Sequence, residues 1–183
     1  MRTFLAYTLP TDIKHLAVET KNSLQGLNCR DIKWVEDENL HVTLQFLGEV
    51  REDKLKELDS IISEALKDAP IPEFTTLGVE AFPANNPRVI WIKLTATDEQ
   101  IRFHKKLVKQ LQKLNPEIEY KSYRAHITLG RIRDYLPPVI LSKMLAYPIN
   151  NSTFKALEVI LYKSILAKKG PQYVPLSEYV TET

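Results

Sequence analysis

The sequence predicts a fold in which one unit of strands and helices occurs twice and packs about a pseudo-twofold axis. Three observations lead there. The stretch His41-Val42-Thr43-Leu44 returns as His126-Ile127-Thr128-Leu129, placing two of the chain's four histidines in matching frames. The segments ahead of them keep register: Arg2 and Arg88 open apolar, β-leaning stretches 86 positions apart, Thr11-Asp12 and Thr97-Asp98 precede helical patterns at the same spacing, and the two histidines follow 85 apart, one deletion away. Each His-x-Thr stretch also alternates polar with β-branched or apolar residues, the pattern of a half-buried strand. Repeats of this size commonly pack about a twofold axis, by analogy with the isologous geometry of dimers. Such an axis turns both polar faces toward one central groove.

Taken in order, Arg2 to Leu9 reads as a strand ended by Pro10, and Thr11 or Asp12 caps a helix to about Leu27 whose apolar face carries Ile13, Leu16, Ala17, Leu24 and Leu27. His15 falls on the opposite, polar side and is read as a surface residue. Asp31 to Val35 is a short strand and Glu36 to Asn39 a turn before the first His-x-Thr strand, which Gly48 closes. Glu52-Asp53 opens a helix to about Ala69, stopped by Pro70 and Pro72. Phe74 to Phe82 is a strand, Pro83 to Pro87 a turn, and Arg88 to Leu94 a strand. Thr97-Asp98 caps a helix to about Leu114 with Ile101, Leu107, Val108 and Leu111 on its buried stripe; His104 shares that stripe and reads as a packed structural residue. Pro116 to Arg124 leads to the second His-x-Thr strand. A helical patch at Val139 to Leu145, a long strand from Thr153 to Leu166, a turn at Lys168-Lys169-Gly170-Pro171 and a strand around Tyr173 to Leu176 complete the chain.

Composition sets limits on function. With 183 residues the chain is long enough to bury a real core in one domain. A formal net charge of +2 with no basic tail permits an anionic ligand but requires the anion site to be local. Cys29 is the only cysteine, which excludes an intrachain disulfide and any zinc site built from several cysteines. No apolar run approaches membrane-spanning length, and the start of the chain runs into a strand pattern too soon for a secretory signal. A soluble, cytoplasmic, monomeric protein is the expectation.

On a strand, alternate side chains share a face, so His41 with Thr43 and His126 with Thr128 point one way while Val42, Leu44, Ile127 and Leu129 anchor the core. Two imidazoles with ordinary pKa near ~6.5 can serve as a general base and a general acid at neutral pH. The threonine hydroxyls can donate to nonbridging oxygens, and Arg131 adds a charge suited to phosphate. Strict alternation would turn Arg131 away from His126, so its presence at the site requires a bulge. The set fits in-line attack on a phosphodiester. Two histidines alone leave a zinc shell incomplete, no carboxylate neighbours either motif at ligand spacing, and Glu49 lies too far along, so neither metal nor cofactor is expected.

The paired motifs resemble the double His-x-Thr signature of the 2H phosphoesterase superfamily. Arg2-Thr3-Phe4, His41 through Gly48, Phe82-Pro83, Pro87 through Trp91 and His126 through Arg131 together resemble its RNA 2′,3′-cyclic phosphodiesterase branch, also called 2′-5′ RNA ligases, over nearly the whole chain. The resemblance implies an α+β fold of two lobes, each an antiparallel sheet backed by helices, with the active cleft between them. It implies metal-free hydrolysis of RNA 2′,3′-cyclic phosphate ends, including tRNA-derived ones, to a 2′-phosphate, with 2′-5′ ligation as the reverse reaction. It further implies His41 as proton donor, His126 as proton acceptor, and Thr43, Thr128 and Arg131 as phosphate ligands. The near symmetry of the motifs does not by itself choose between acid and base. Ala125 stands where the family commonly has proline, which implies a looser approach to His126.

For substrate recognition, Tyr123, Phe46 and Trp34 are candidate base-stacking residues, although aromatics at strand spacing are more often core residues. Lys121, Arg124 and Arg133 are candidates for contacts to an RNA backbone. Two alternatives stand beside an RNA-end hydrolase: the same chemistry on a small nucleotide such as a cyclic phosphate of ADP-ribose, and a non-catalytic nucleotide- or RNA-binding module.

Overall fold

The computed structural model describes residues 1–167 and 170–181. It is a mixed fold of nine strands and four α-helices: β1 (Arg2–Tyr7), α1 (Thr11–Gln25), β2 (Ile32–Trp34), β3 (Val42–Glu49), α2 (Leu55–Lys67), β4 (Glu73–Phe82), β5 (Val89–Leu94), α3 (Asp98–Leu114), β6 (His126–Ile132), α4 (Pro138–Leu145), β7 (Thr153–Lys155), β8 (Glu158–Ala167) and β9 (Gly170–Val180). The turn expected at Lys168-Lys169-Gly170-Pro171 falls partly outside the described residues, and Gly170 and Pro171 already belong to β9.

The helices begin where local chemistry satisfies their free N–H groups, though not always as expected. Thr97 caps α3 in a full capping box, its hydroxyl accepting from the Gln100 N–H while the Gln100 amide oxygen accepts from the Thr97 N–H. Neither Thr11 nor Asp12 caps α1. Pro10 takes that position and its carbonyl accepts the Lys14 N–H at 2.9 Å, leaving Asp12 in the first turn, where a carboxylate suits the helix dipole. The helix expected from Glu52-Asp53 starts as a 3-10 turn over Glu52–Lys54 and becomes α-helical at Leu55.

All strand pairings are antiparallel, in the order β7-β4-β5-β6-β3-β1-β8-β9, with β2 pairing on β6. The sheets of the two expected lobes therefore meet edge to edge through β3 and β6. The order also exposes an exchange. β4 follows α2 but pairs with β5, and β8 follows α4 but returns to pair with β1, so each half of the chain supplies a strand to the other. The helices cross likewise, α1 packing on β6 and α3 on β3.

The last third departs from the reading of one strand from Thr153 to Leu166. β7 pairs with β4 and β8 with β1, at opposite ends of the sheet, and the chain breaks between them at Ala156-Leu157, where the Ala156 N–H donates to the Pro72 carbonyl. A continuous apolar pattern carries no mark of a change of partner. β9 is longer than Tyr173 to Leu176: among the described residues it pairs with β8 alone, and a strand at the sheet edge tolerates Pro171 and Pro175.

The core lies between the sheet and the helices. Leu5, Ile90, Ile92, Val42 and Ile127 pack against the buried stripes of α1, α2 and α3. At about 1.5 to 3 kcal/mol for each fully buried aliphatic side chain, this layer fixes which face of β3 and β6 is left for chemistry. Gly130 is part of the fixing, because a Cβ there would come within 2.7 Å of Ile32 Cγ2 and 3.0 Å of Trp34 Cε3. Gly130→Ala should therefore displace β2 and destabilise the protein by about 1 to 3 kcal/mol, read as a lower urea midpoint at unchanged slope; an unchanged midpoint would show that β2 is not held against β6 in this way.

Candidate active site

β3 and β6 pair through one register position, Val42 opposite Ile127, both fully buried. Counting one residue each way in an antiparallel pair sets Thr43 across from His126 and His41 across from Thr128, all on the opposite face from the core. Directly opposed residues have Cα atoms ~4.5–5.5 Å apart, so this one pairing draws the four polar side chains into a single patch.

The bulge that Arg131 requires is present. Trp91 pairs with Thr128 and Ile90 with Gly130, which leaves Leu129 as an extra residue on β6. An extra residue reverses the alternation. Leu129 and Ile132 are buried while Arg131 projects on the side of His126 and Thr128. β3 carries the same device: Ala6 pairs with Thr43 and Leu5 with Gln45, leaving Leu44 as the extra residue. Leu44 and Leu47 point inward, and Phe46, 61% exposed, stands on β3 where Arg131 stands on β6. Twin bulges thus place a guanidinium on one rim of the cleft and a phenyl ring on the other.

Each imidazole is oriented by the carbonyl two residues before it. His41 Nδ1 donates to the Asn39 carbonyl and His126 Nδ1 to the Arg124 carbonyl, both at 2.7 Å. That bond fixes the tautomer and leaves each Nε2 available. His41 Nε2 lies 3.0 Å from the Thr43 hydroxyl, whereas His126 Nε2 has no hydrogen-bond partner among the described residues. Aromatic rings wall both: Phe4 and Tyr173 stand 5.1 and 5.6 Å from His41, and Trp91 lies 4.2 Å from His126 with Phe82 stacked behind it. Burial among these rings pushes the His41 pKa down to about 4, with the charges of His126 and Arg131 adding to the shift and the Asn39 hydrogen bond opposing it. The His126 pKa is lowered for the same leading reason, again with Arg131 contributing. Without an anion between them, both rings are neutral at pH 7.

Two cavities meet at this patch. One of about 190 Å³ is lined by His41, Thr128, Trp34, Lys33, Asn39 and Tyr173 among others; a wider groove of about 780 Å³ runs past Phe82, Arg124, Lys121 and Tyr123. Thr43, Phe46, Trp91, His126 and Arg131 line both. The wider groove lies within the ~300–1,000 Å³ usual for small-ligand sites.

The structure thus brings His41, Thr43, His126, Thr128 and Arg131 together, with Trp34 and Phe46 on the cavity walls. Tyr123 borders the wider groove only, with its ring stacked on His104 at 4.9 Å and its hydroxyl buried without a partner among the described residues. His104 is buried and bonds the Gln45 amide oxygen at 2.8 Å. Lys121 is paired with Glu119, Arg124 lies over the Phe82 ring, and Arg133 lines neither cavity. Ala125 does not loosen the approach to His126: it is buried, and its carbonyl accepts the Leu94 N–H at 3.0 Å. Sequence reasoning missed Trp91, Tyr173, Asn39 and Lys33. Asn39 and Arg124 had a findable signal, since each stands two residues before a motif histidine, where a carbonyl can meet Nδ1.

Among the described residues no group of three or more His, Cys, Asp or Glu side chains is placed to hold a metal ion, and no helix is long and apolar enough to cross a membrane.

Known proteins resemble this chain in sequence and in fold. Residues 8–91 match the family LigT like Phosphoesterase. The chain is 35% identical to a protein of Archaeoglobus fulgidus named RNA 2′,3′-cyclic phosphodiesterase, over 96% of this chain and 98% of the relative, and 34% identical to one of the same name from Methanocaldococcus jannaschii, over 98% and 100%. A crystal structure of a Thermus thermophilus protein superposes with a TM-score of 0.84 at 26% identity, covering 99% of this chain and 98% of that one. A chain with paired His-x-Thr strands joined at one seam and relatives alike from end to end belongs to the LigT-like phosphoesterases of the 2H superfamily.

Proposed function

We propose that the protein hydrolyses the terminal 2′,3′-cyclic phosphate of RNA to a 2′-phosphate, without a metal, by acid-base catalysis between His41 and His126. The observation that carries this reading is the seam at Val42 and Ile127, which sets an imidazole beside a threonine on each strand with Arg131 turned inward by a bulge. The names of the full-length relatives supply the substrate class.

In this mechanism the cyclic phosphodiester sits over Thr43 and Thr128, whose hydroxyls donate to its nonbridging oxygens, and the Arg131 guanidinium balances its charge. The anion offsets the burial and like-charge effects that hold both imidazoles neutral, so one proton can be retained. His126 takes a proton from the attacking water, the role favoured by its unpartnered Nε2. His41, whose depressed pKa makes its protonated form a strong acid, gives a proton to the departing 3′ oxygen. Phosphorus gains one oxygen and loses another in line, leaving a 2′-phosphate and a 3′-hydroxyl. With a ribose 5′-hydroxyl attacking in the place of water, the same groups form a 2′-5′ linkage, which is ligation. Phe46 and Trp34 supply apolar walls for the base. The wide groove favours an RNA end over a small nucleotide alone, because it continues the cleft well past the reacting phosphate.

The test is turnover on an oligoribonucleotide ending in a 2′,3′-cyclic phosphate, in the presence of chelator. His41→Ala and His126→Ala should each lower kcat by ~10² to ~10⁴-fold, about 3 to 5 kcal/mol of barrier, with folding unchanged; near-normal turnover in either, or loss of wild-type activity to chelator, would contradict the mechanism. The pH dependence has a definite sign. The acid must be protonated and the base not, and both free-enzyme pKa values lie below ~6.5, so kcat/KM should peak on the acid side of ~6.5 and fall toward alkaline pH. The kcat profile should peak at higher pH, since bound phosphate raises both; a kcat/KM optimum at alkaline pH would contradict the site's electrostatics.

A further inference from the structure

The reacting phosphate does not use every cation in the cleft. Lys33 on β2 pairs with Arg131 on β6, and the flanking pair, Ile32 with Ile132, is buried, so Lys33 and Arg131 share the cleft face. Lys33 is half-buried, lines the smaller cavity beside Trp34, and extends toward β9, where its Nζ lies 3.5 Å from the point a Cβ on Gly170 would occupy. Among the described residues no carboxylate pairs with it: Asp37 is held by Lys21, and Glu36, which lines the same cavity, makes no ion pair. Arg131 influences His41, His126 and Tyr173, whereas Lys33 is not among the charges that shift any of them. The two cations therefore stand side by side on paired positions of the cleft face, Arg131 lining both cavities with His126 and Lys33 lining only the smaller one and reaching toward Gly170.

A cyclic phosphodiester carries a single negative charge, and Arg131 matches it. A second half-buried ammonium without a carboxylate partner among the described residues is free to take another anion. On a nucleotide the nearest one is the phosphate on the 5′ side of the same ribose. We propose that Lys33 binds this second phosphate, so that the site selects nucleotides carrying a 5′-phosphate, as every internal linkage of RNA provides, over bare nucleoside cyclic phosphates. This rests on the proposed reading of the cleft as a site for nucleotide phosphates. It gives that reading a chain-direction signal: reacting phosphate at Arg131, the preceding phosphate at Lys33, the base against Trp34 or Phe46.

The test is calorimetric binding of adenosine 2′-phosphate and adenosine 2′,5′-bisphosphate to the wild type, Lys33→Ala and Lys33→Arg. The wild type should bind the bisphosphate at least about tenfold more tightly, the scale of one charge-assisted hydrogen bond, with the gain shrinking at higher salt. Lys33→Ala should bring the bisphosphate down to the affinity of the monophosphate, and Lys33→Arg should keep the preference. A wild type without preference, a preference surviving in Lys33→Ala, or an equal loss for both ligands would overturn the proposal. Because binding is read directly, a protein that shows this pattern yet fails to hydrolyse cyclic phosphate ends would refute the proposed activity and leave the assignment of Lys33 standing.

Discussion

The cleft depends on a single antiparallel pairing, Val42 with Ile127, at the edge where two sheets meet. Both residues are fully buried. Their burial holds β3 and β6 in one register, and that register alone decides that each histidine faces the other strand's threonine. A slip of one residue would turn His41 and His126 into the core and Val42 and Ile127 into the cleft, so the hydrophobic energy of this layer also keeps the catalytic geometry in place. The exchange of β4 and β8 between the halves reinforces the seam, because neither sheet can be completed without the other half of the chain.

On that frame, an extra residue at the same place in β3 and β6 makes the two sides chemically different. The bulges at Leu44 and Leu129 are equivalent in place, yet what each turns into the cleft is not: a phenyl ring from Phe46, a guanidinium from Arg131. The cleft therefore has an apolar rim and a charged one, which under the proposed function would give a nucleotide a preferred orientation. The walls then tune the imidazoles. Phe4, Tyr173 and Trp91 withdraw water from the rings and hold their pKa values down, so in the proposed mechanism the proton is stabilised chiefly once an anion is bound.

Much of this was legible in the chain. The repeat of His-x-Thr, the alternation around it and the common register of Arg2 with Arg88 led to the strands, the helices between them and the opposed histidines. Several features were not legible because they belong to tertiary context. A bulge leaves no mark in composition, so Phe46 read as better suited to a core, and the requirement for a bulge at Arg131 could be stated but not located. Thr153 to Leu166 looked like one strand because apolar alternation records burial and not the identity of the partner. β9 ran past Pro171 and Pro175 because an edge position forgives missing donors. Tyr173 sits far in sequence from either motif and only β9 brings it to the cleft, whereas Lys33 lies close to His41 in the chain and reaches the cleft because β2 pairs with β6.

The account turns on the two imidazoles acting on opposite oxygens of one phosphorus. The most direct measurement compares His41→Ala and His126→Ala on two substrates, an RNA cyclic phosphate and a 3′-deoxynucleoside 2′-phosphate esterified with 4-nitrophenol, whose leaving group departs without a proton. The account predicts that the defect of His41→Ala largely disappears on the nitrophenyl ester while that of His126→Ala persists. An equal defect in His41→Ala on both substrates, or relief of His126→Ala instead, would contradict it.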